Sequence, residues 1–264
     1  MKLQIDGKDV FYAHGGMPWV AEQPCVIFVH GAGMDHTVWT LFTRWFARHG
    51  YNVVAVDLPG HGRSAGPLID TVEGMAAWLL AVVDALGVER VILAGHSMGS
   101  LVVLHAAALA PARVSRVALL GFSYPMAVGK PLLEAARANA HEAIDMLMIW
   151  GHDALAQVGG NAMPGMGIIT PIQRLVERAA PGVLFNDLHA CHTYASGEAH
   201  APAIEAPVTL ILGDRDRMTP LKGARAFMQH FRQSTLDVIP ECGHGMMEER
   251  PEETWAALDR AFRG

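Results

Sequence analysis

Residues 90–108, RVILAGHSMGSLVVLHAAA, decide the fold of this chain. The apolar run that ends at Ala94 predicts a buried strand, and the small, apolar residues from Ser100 onward predict a helix. Between them Gly95-His96-Ser97-Met98-Gly99 must turn the chain sharply, with Ser97 at the corner. A corner of this kind strains the backbone of its central residue. It also brings the flanking positions too close to other backbone for a Cβ, so the two glycines fit there.

The serine at this corner is a candidate nucleophile. A serine hydroxyl attacks poorly unless it is held in place, loses its proton and has its oxyanion product stabilised. The G-x-S-x-G turn supplies the first and third conditions, because the Met98 N–H lies at a helix N-terminus that favours negative charge. Such a string also occurs by chance in loops. Here the strand before it and the helix after it favour the nucleophile, and the rest of the chain must supply the base.

Composition indicates a globular α/β protein. The chain has 264 residues, of which 51% are hydrophobic and 17% charged, so it can bury a large core and is not disordered. A formal charge of −6 and an isoelectric point near 6.1 give no electrostatic basis for binding nucleic acid or an anionic membrane. We expect a small-molecule substrate.

The sequence predicts neither a targeting segment nor a metal or cofactor site. The N-terminus lacks the apolar run of a signal peptide, and no stretch is long and apolar enough to span a membrane. Cys25, Cys191 and Cys242 are odd in number and widely spaced, which fits neither a disulfide framework nor a metal site. His189 and His192 have helical spacing, but such a pair alone does not indicate a metal. We expect a cytoplasmic protein without cofactors.

Strands and helices alternate along most of the chain, which predicts a mostly parallel sheet with helices on both faces. The first two strands flank Asp6-Gly7 and predict a hairpin. The eight predicted strands are Leu3–Ile5, Val10–Tyr12, Val26–Val29, Tyr51–Val56, Arg90–Ala94, Val114–Leu120, Val208–Leu212 and Thr235–Ile239.

The alternation stops between residues 122 and 205, which predicts a helical cap inserted into a core of residues 1–121 and 206–264. We expect cap helices over Leu132–Trp150, Pro171–Ala180 and Phe185–Tyr194, and a hinge at Gly159–Gly167 that would let the cap act as a mobile lid. The flexible cap methionines predict either an adaptable apolar pocket or ordinary helix core. They are Met126, Met146, Met148, Met163 and Met166.

Five motifs, in this order, resemble the α/β-hydrolase superfamily, and the resemblance covers nearly the whole chain. It implies that superfamily's fold and a hydrolase with a serine nucleophile. The motifs are His30-Gly31, Asp57-Leu58-Pro59-Gly60-His61-Gly62-Arg63-Ser64, Gly95-His96-Ser97-Met98-Gly99, Gly213-Asp214-Arg215-Asp216-Arg217-Met218-Thr219-Pro220, and Gly243-His244 before Glu248 and Pro251.

His244 is the best candidate for the base that activates Ser97. Chemistry in such sheets gathers beyond the carboxyl ends of the strands, and His244 follows the last strand in a glycine-flanked loop. The glycines on both sides would let the imidazole swing over the sheet edge. His96 is closer in sequence, but adjacent residues at a tight corner point in different directions.

An acid should orient the histidine from a loop that follows an earlier strand. The loop after the sixth predicted strand has no carboxylate, whereas the loop after the seventh has Asp214 and Asp216. The superfamily's spacing selects Asp216, with Asp214 as the alternative. The resemblance also places the second oxyanion donor at Ala32, beside the N–H of Met98. Substrate contacts are expected at Met34, Phe122, Trp150, Met218 and Met246.

The leading hypothesis is a cofactor-free hydrolase of a small or medium, largely apolar carboxylic ester. The resemblance leaves open a lactonase, or a carbon–carbon bond hydrolase of aromatic degradation. It also leaves open a ligand receptor of the same fold with slow turnover. A serine nucleophile argues against the haloalkane dehalogenases and epoxide hydrolases of this fold, which use aspartate.

Overall fold

A computed structural model describes residues 1–160 and 167–263 and contains an eight-stranded sheet flanked by helices. The strands are β1 (Lys2–Ile5), β2 (Lys8–Ala13), β3 (Cys25–Val29), β4 (Asn52–Val56), β5 (Val91–His96), β6 (Val114–Leu120), β7 (Val208–Gly213) and β8 (Ser234–Ile239). The helices are α1 (Thr40–Arg48), α2 (Val72–Leu86), α3 (Met98–Leu109), α4 (Lys130–Arg137), α5 (Glu142–Gly151), α6 (Ala154–Gln157), α7 (Ile169–Glu177), α8 (Val183–Thr193), α9 (Gly197–His200), α10 (Leu221–Phe227), α11 (Met246–Glu249) and α12 (Pro251–Arg263).

The sheet confirms the predicted class, with strand order β1-β2-β4-β3-β5-β6-β7-β8. β1 and β2 form the predicted hairpin, β2 pairs antiparallel with β4, and the remaining pairs are parallel. Every residue of β3, β4 and β5 is buried, as their continuous apolar runs require of central parallel strands. The loops after the parallel strands therefore meet at one edge of the sheet.

Apolar cores fill both faces of this sheet. On one face α2, α3 and α10 pack against the strands, and α3 is buried along almost its whole length. On the other face Phe28 lies among aromatic rings from α1 and α12, including Phe46 and Phe262. Within the described ranges, no helix combines the length and apolar character that crossing a membrane requires.

Helices α4 to α9 occupy the segment between β6 and β7, where the alternation of the sequence stops. The prediction of one helix over Leu132–Trp150 is wrong, because Asn139 adopts a left-handed φ of 51° and separates α4 from α5. α7 and α8 lie close to their predicted positions. Residues 161–166 of the predicted hinge, with Met163 and Met166, lie outside the described residues.

Asp57, directly after β4, joins the loops that follow β3 and β4. Its carboxylate is fully buried and accepts hydrogen bonds from the backbone N–H and the Nδ1 of His36, both at 2.7 Å, and from the Arg63 N–H at 2.9 Å. Gly62 packs against it so closely that a Cβ there would lie 2.3 Å from Asp57 Oδ2. The Asp57 carboxylate therefore holds the loops after β3 and β4 together at this edge of the sheet.

Replacing Asp57 should destabilise the fold, because two N–H donors of His36 and one of Arg63 would lose their buried acceptor. We expect Asp57→Ala to lower the free energy of unfolding by about 3 kcal/mol, measured by denaturant titration. Asp84→Ala is the control, since Asp84 forms a solvent-exposed pair with Arg113 and should change stability by only about 0.5 kcal/mol. Equal effects of the two substitutions would contradict the anchoring role of Asp57.

Candidate active site

The chain turns from β5 into α3 at Ser97, whose φ of 54° and ψ of −120° are strained for a residue with a side chain. A Cβ on Gly95 would lie 2.1 Å from the Gly99 carbonyl oxygen, and one on Gly99 would lie 2.4 Å from that of Val29. The strand, corner and helix are therefore as predicted, and both glycines are required by close backbone approach. The corner leaves the Ser97 side chain facing a cavity.

His244 and Asp216 form a buried pair beside this cavity. The His244 Nδ1 lies 2.8 Å from Asp216 Oδ2. Because a carboxylate only accepts, His244 Nδ1 donates this hydrogen bond. Within residues 1–160 and 167–263, Nε2 has no hydrogen-bond partner. His244 is thus oriented by Asp216 and is the candidate general base of this site.

Asp216 remains ionised because its environment compensates for its burial. Burial raises the pKa of this carboxyl, but the His244 imidazole and hydrogen bonds from Thr219 outweigh it and lower the pKa to about 2. The Thr219 hydroxyl donates to Oδ2 at 2.6 Å, and the N–H groups of Met218 and Thr219 donate to Oδ1, both at 2.8 Å. Asp214, the alternative acid, is exposed and accepts from Cys242 N–H instead.

Two residues that sequence reasoning missed support the imidazole. Gly121 has a φ of +54°, and a Cβ there would lie 2.8 Å from His244 Cε1, so only glycine leaves room for the ring. His96 donates from Nε2 to the His244 carbonyl oxygen at 2.9 Å. Burial, followed by the His244 ring, lowers the pKa of His96 to about 3 and keeps it neutral. No motif in the sequence signals either contact.

The backbone amides of Ala32 and Met98 are the candidate oxyanion donors. Among the hydrogen bonds of the described residues, neither amide has an acceptor. Met98 opens α3, while Ala32 lines the cavity. His30 donates from Nδ1 to the Gly31 carbonyl at 2.9 Å and accepts the Leu58 N–H at Nε2. His30 therefore fixes the direction of the Gly31 carbonyl. Because the C=O and N–H of a planar trans peptide point in opposite directions, the Ala32 N–H points away from His30.

The cavity has a larger lobe of about 220 Å³ and a smaller lobe of about 50 Å³. Ser97 and His244 line both lobes, so the lobes meet at the reacting groups. The insertion supplies most of the apolar wall of the larger lobe, and Arg217 lies at its edge. These apolar residues are Met126, Ala127, Val128, Leu132, Trp150, Leu188 and Cys191.

Three of the five predicted substrate contacts line this cavity. Trp150 borders the larger lobe, Met34 the smaller one, and Met218 both. Phe122 and Met246 are fully buried instead and line neither lobe. Phe122 packs 5.2 Å from the Phe227 ring, and Met246 opens α11 in the core on the opposite face of the sheet. Proximity to a motif did not reveal which way these side chains turn.

The insertion is hydrogen-bonded to the loop that carries His244. The carbonyl of Gly151 accepts from the His244 N–H at 2.8 Å and from the Gly245 N–H at 2.9 Å. A Cβ on Gly243 would lie 2.7 Å from Asp153 N, and one on Gly245 would lie 2.8 Å from His152 Nε2. The glycines that flank His244 therefore allow close docking of the insertion, rather than the swing of the ring that their pattern predicted.

One group of side chains has the spacing of a metal site. The potential ligand atoms of Asp35, His36 and Asp57 lie within 4.8 Å of one another. Protein donors already occupy their oxygens, however: Asp57 accepts from His36 and Arg63, and Asp35 accepts from Arg178 at 2.8 Å. These contacts indicate that the group holds loops together through hydrogen bonds rather than binding a metal ion.

Comparisons with known proteins agree with this fold. A family model described as the alpha/beta hydrolase family matches residues 26–257. The pimeloyl-[acyl-carrier protein] methyl ester esterase of Aromatoleum aromaticum is 28% identical over 260 residues, which cover 92% of this chain and 99% of that protein. The (E)-2-((N-methylformamido)methylene)succinate hydrolase of Acinetobacter baylyi is 34% identical over 100 residues, 38% of each protein.

The matches to the first three curated relatives span only 38%, 30% and 38% of those proteins. Among solved structures, the enol-lactonase from Burkholderia xenovorans LB400 superposes with a TM-score of 0.88 over 100% of both chains, at 20% sequence identity. At 20% identity, this structural similarity shows that the two proteins share a fold.

Gly121→Ala should disable the site without unfolding the protein, because the added Cβ displaces the His244 ring. Gly87→Ala is a matched control: Gly87 has a φ of +67°, but no atom lies within 4 Å of its Cβ position. Both variants should lose about 1 kcal/mol from the left-handed backbone, but only Gly121→Ala should lose about 100-fold in kcat. Thermal melting and ester hydrolysis measure the two effects. Similar activity in both variants would refute the role of Gly121.

Asp216→Asn should cut kcat about 10³-fold or more, because an amide at this position favours the wrong histidine tautomer. Asp214→Asn, the control, removes a carboxylate that does not contact His244 and should retain activity in the same ester assay. Loss of activity in the Asp214 variant alone would reverse the assignment of the acid.

The Asp216 variant should also change stability with pH. Since folding lowers the pKa of Asp216 from 3.8 to about 2, the ionised group stabilises the native state above about pH 4, and this contribution is lost as the pH falls through 2. The difference in melting temperature between the native protein and Asp216→Asn should therefore shrink below pH 4.

Proposed function

The chain belongs to the α/β-hydrolase family, and from this membership we propose that it is a serine hydrolase of carboxylic esters that works through an acyl-enzyme. Ser97 is the nucleophile, His244 the general base and Asp216 the orienting acid. The N–H groups of Ala32 and Met98 form the oxyanion hole. The observation that carries the proposal is the buried His244–Asp216 pair, whose imidazole lines the same cavity as Ser97.

The arrangement supports a two-step reaction. His244 Nε2 takes the proton of the Ser97 hydroxyl as Oγ attacks the ester carbonyl, and the two backbone amides stabilise the oxyanion that forms. The imidazolium, held by Asp216, then gives its proton to the departing alcohol. A water molecule, deprotonated by His244, attacks the acyl-Ser97 carbonyl, and collapse of this second intermediate releases the acid and restores the serine.

The substrate class is proposed from the walls of the cavity. The larger lobe is small, and most of the side chains that line it are apolar, although Arg217 also lines it; this favours a small or medium, largely apolar acyl or alcohol group. Because Leu132, Trp150 and Leu188 come from the insertion, we assign residues 122–205 as a cap that sets specificity. The full-length relative from Aromatoleum aromaticum, named an esterase, agrees with ester cleavage. The chain works without a cofactor in this scheme.

Ser97→Ala should abolish the activity. With p-nitrophenyl esters from acetate to palmitate, we expect the native protein to prefer the shorter acyl chains and the variant to lose about 10⁴-fold or more in kcat. A fluorophosphonate probe should label the native protein at Ser97, as mass spectrometry of its peptides would show. The control, Ser115→Ala, alters a serine whose hydroxyl donates to the Val91 carbonyl on β5, and should stay active.

The assay separates the other hypotheses. Full activity in Ser97→Ala would disprove the scheme, and binding of the esters without turnover would favour a receptor. Faster hydrolysis of lactones than of open esters by the native protein would change the substrate class while keeping the nucleophile.

A further inference from the structure

Asp187, on α8 of the insertion, is a fully buried charge that no motif signals. Its Oδ2 accepts the backbone N–H of Gly33 at 2.8 Å and lies 2.8 Å from His61 Nε2. Its Oδ1 accepts from the Asn186 side chain at 3.1 Å. Gly33 and His61 belong to the loops after β3 and β4, so one carboxylate of the insertion ties both loops of the core.

His61 balances the charge of Asp187. Its Nε2 faces the Asp187 carboxylate, and its Nδ1 lies 3.1 Å from the Pro59 carbonyl oxygen. Both partners can only accept, so both ring nitrogens carry protons and the ring is a cation. Burial alone would lower the pKa of His61, but the charge and hydrogen bond of Asp187 outweigh it and raise the pKa. The insertion and the core are thus joined by a buried ion pair.

The pair acts on the backbone around Ala32, the candidate oxyanion donor, from two directions. Asp187 binds the N–H of Gly33, the residue directly after Ala32. His61 packs against the ring of His30, with centroids 5.0 Å apart, and His30 Nδ1 holds the Gly31 carbonyl. The peptides on both sides of Ala32 are therefore fixed through contacts that end at Asp187.

A buried carboxylate contributes little net stability when it attaches a helix to the core. Taking an ion pair out of water generally gains less than packing apolar side chains of the same volume. A carboxylate that accepts a hydrogen bond can hold a backbone amide at a set angle, which apolar packing cannot do. Apolar side chains of the insertion already contact this loop, so attachment alone does not require Asp187. A Cβ on Gly33 would lie 3.1 Å from Leu184 Cδ1 and 3.3 Å from Val176 Cγ1.

We propose that Asp187 is a positioning residue for catalysis: from the insertion, it holds the Gly31–Gly33 backbone so that the Ala32 N–H faces the developing oxyanion. The proposal rests on the serine-hydrolase function above. It makes the insertion part of the oxyanion hole's support as well as a wall of the substrate cavity.

The test compares an oxygen ester with its thiono analogue, in which sulfur replaces the carbonyl oxygen. Sulfur is a larger and weaker hydrogen-bond acceptor, so a well-aligned oxyanion hole favours the oxygen ester, and misalignment reduces that preference. The variants are Asp187→Asn, which removes the charge, and Asp187→Glu, which keeps the charge beside His61 but moves the carboxylate away from Gly33. Glu177→Gln is the control, because Glu177 pairs with His141 and Arg174 within the insertion.

Each aspartate variant should lower kcat for the p-nitrophenyl ester by about 10- to 100-fold with little change in KM, and should lower the oxygen-to-thiono ratio of kcat/KM by about 5-fold or more. The control should keep the native ratio. A role in stability alone would lower the melting temperature, or slow both substrates equally, and leave the ratio unchanged.

A native ratio in every variant that shows a cooperative melting transition overturns the proposal. If Asp187→Asn does not fold, Asp187→Glu decides, since its ion pair with His61 persists. A native protein that hydrolyses neither ester would instead contradict the serine-hydrolase function, and this inference with it. Ser97→Ala, run in parallel, distinguishes these two failures.

Discussion

The backbone strain at Ser97 is the constraint on which the rest of the structure depends. A residue with a side chain at a φ of 54° costs about 1–3 kcal/mol, and it persists only where surrounding structure over-determines it. Here β5 enters the corner from the centre of the sheet, and α3 leaves it buried along almost its whole length. The glycines at 95 and 99 allow the backbones to approach closely enough to enforce the turn.

The insertion is hydrogen-bonded both to the His244 loop and to the loop that carries Ala32, which limits how it can move. Gly151 accepts hydrogen bonds from the backbone of the His244 loop, and Asp187 binds the loop beside Ala32. A lid that swung away as one body would have to break both contacts, including a buried ion pair. Opening that preserves the site must therefore leave the end of α5 and the turn of α8 around Asp187 in place. The elements that shape the cavity thus also hold the loops around Ala32 and His244.

Sequence reasoning succeeded where a local pattern has one structural solution. The buried β-branched runs and the glycine-flanked corner each predicted an element that the structure contains. Asp216, chosen by its spacing, lies 2.8 Å from His244 Nδ1, and its role as the acid stays a prediction. The same reasoning failed where the outcome depends on distant packing. Sequence reasoning passed over Asn139, although asparagine tolerates the left-handed backbone that separates α4 from α5. Phe122, which follows the end of β6, turns into the core and packs against Phe227. Gly121 and Asp187 act through contacts with residues far along the chain, which only the folded structure brings together.

Three histidines near the site differ because of what faces their second ring nitrogen. His244 and His61 each bind an aspartate, but His61 Nδ1 also faces the Pro59 carbonyl, whereas His244 Nε2 has no partner among the described residues. His30 accepts the Leu58 N–H and so stays neutral. The same kind of His–Asp pair thus leaves the second ring nitrogen without a partner in one place and binds both ring nitrogens in the other. In the proposed mechanism, a carbonyl acceptor beside His244 Nε2 would stabilise the imidazolium and remove the lone pair that takes the Ser97 proton. That mechanism therefore requires a second nitrogen without an acceptor as much as it requires Asp216.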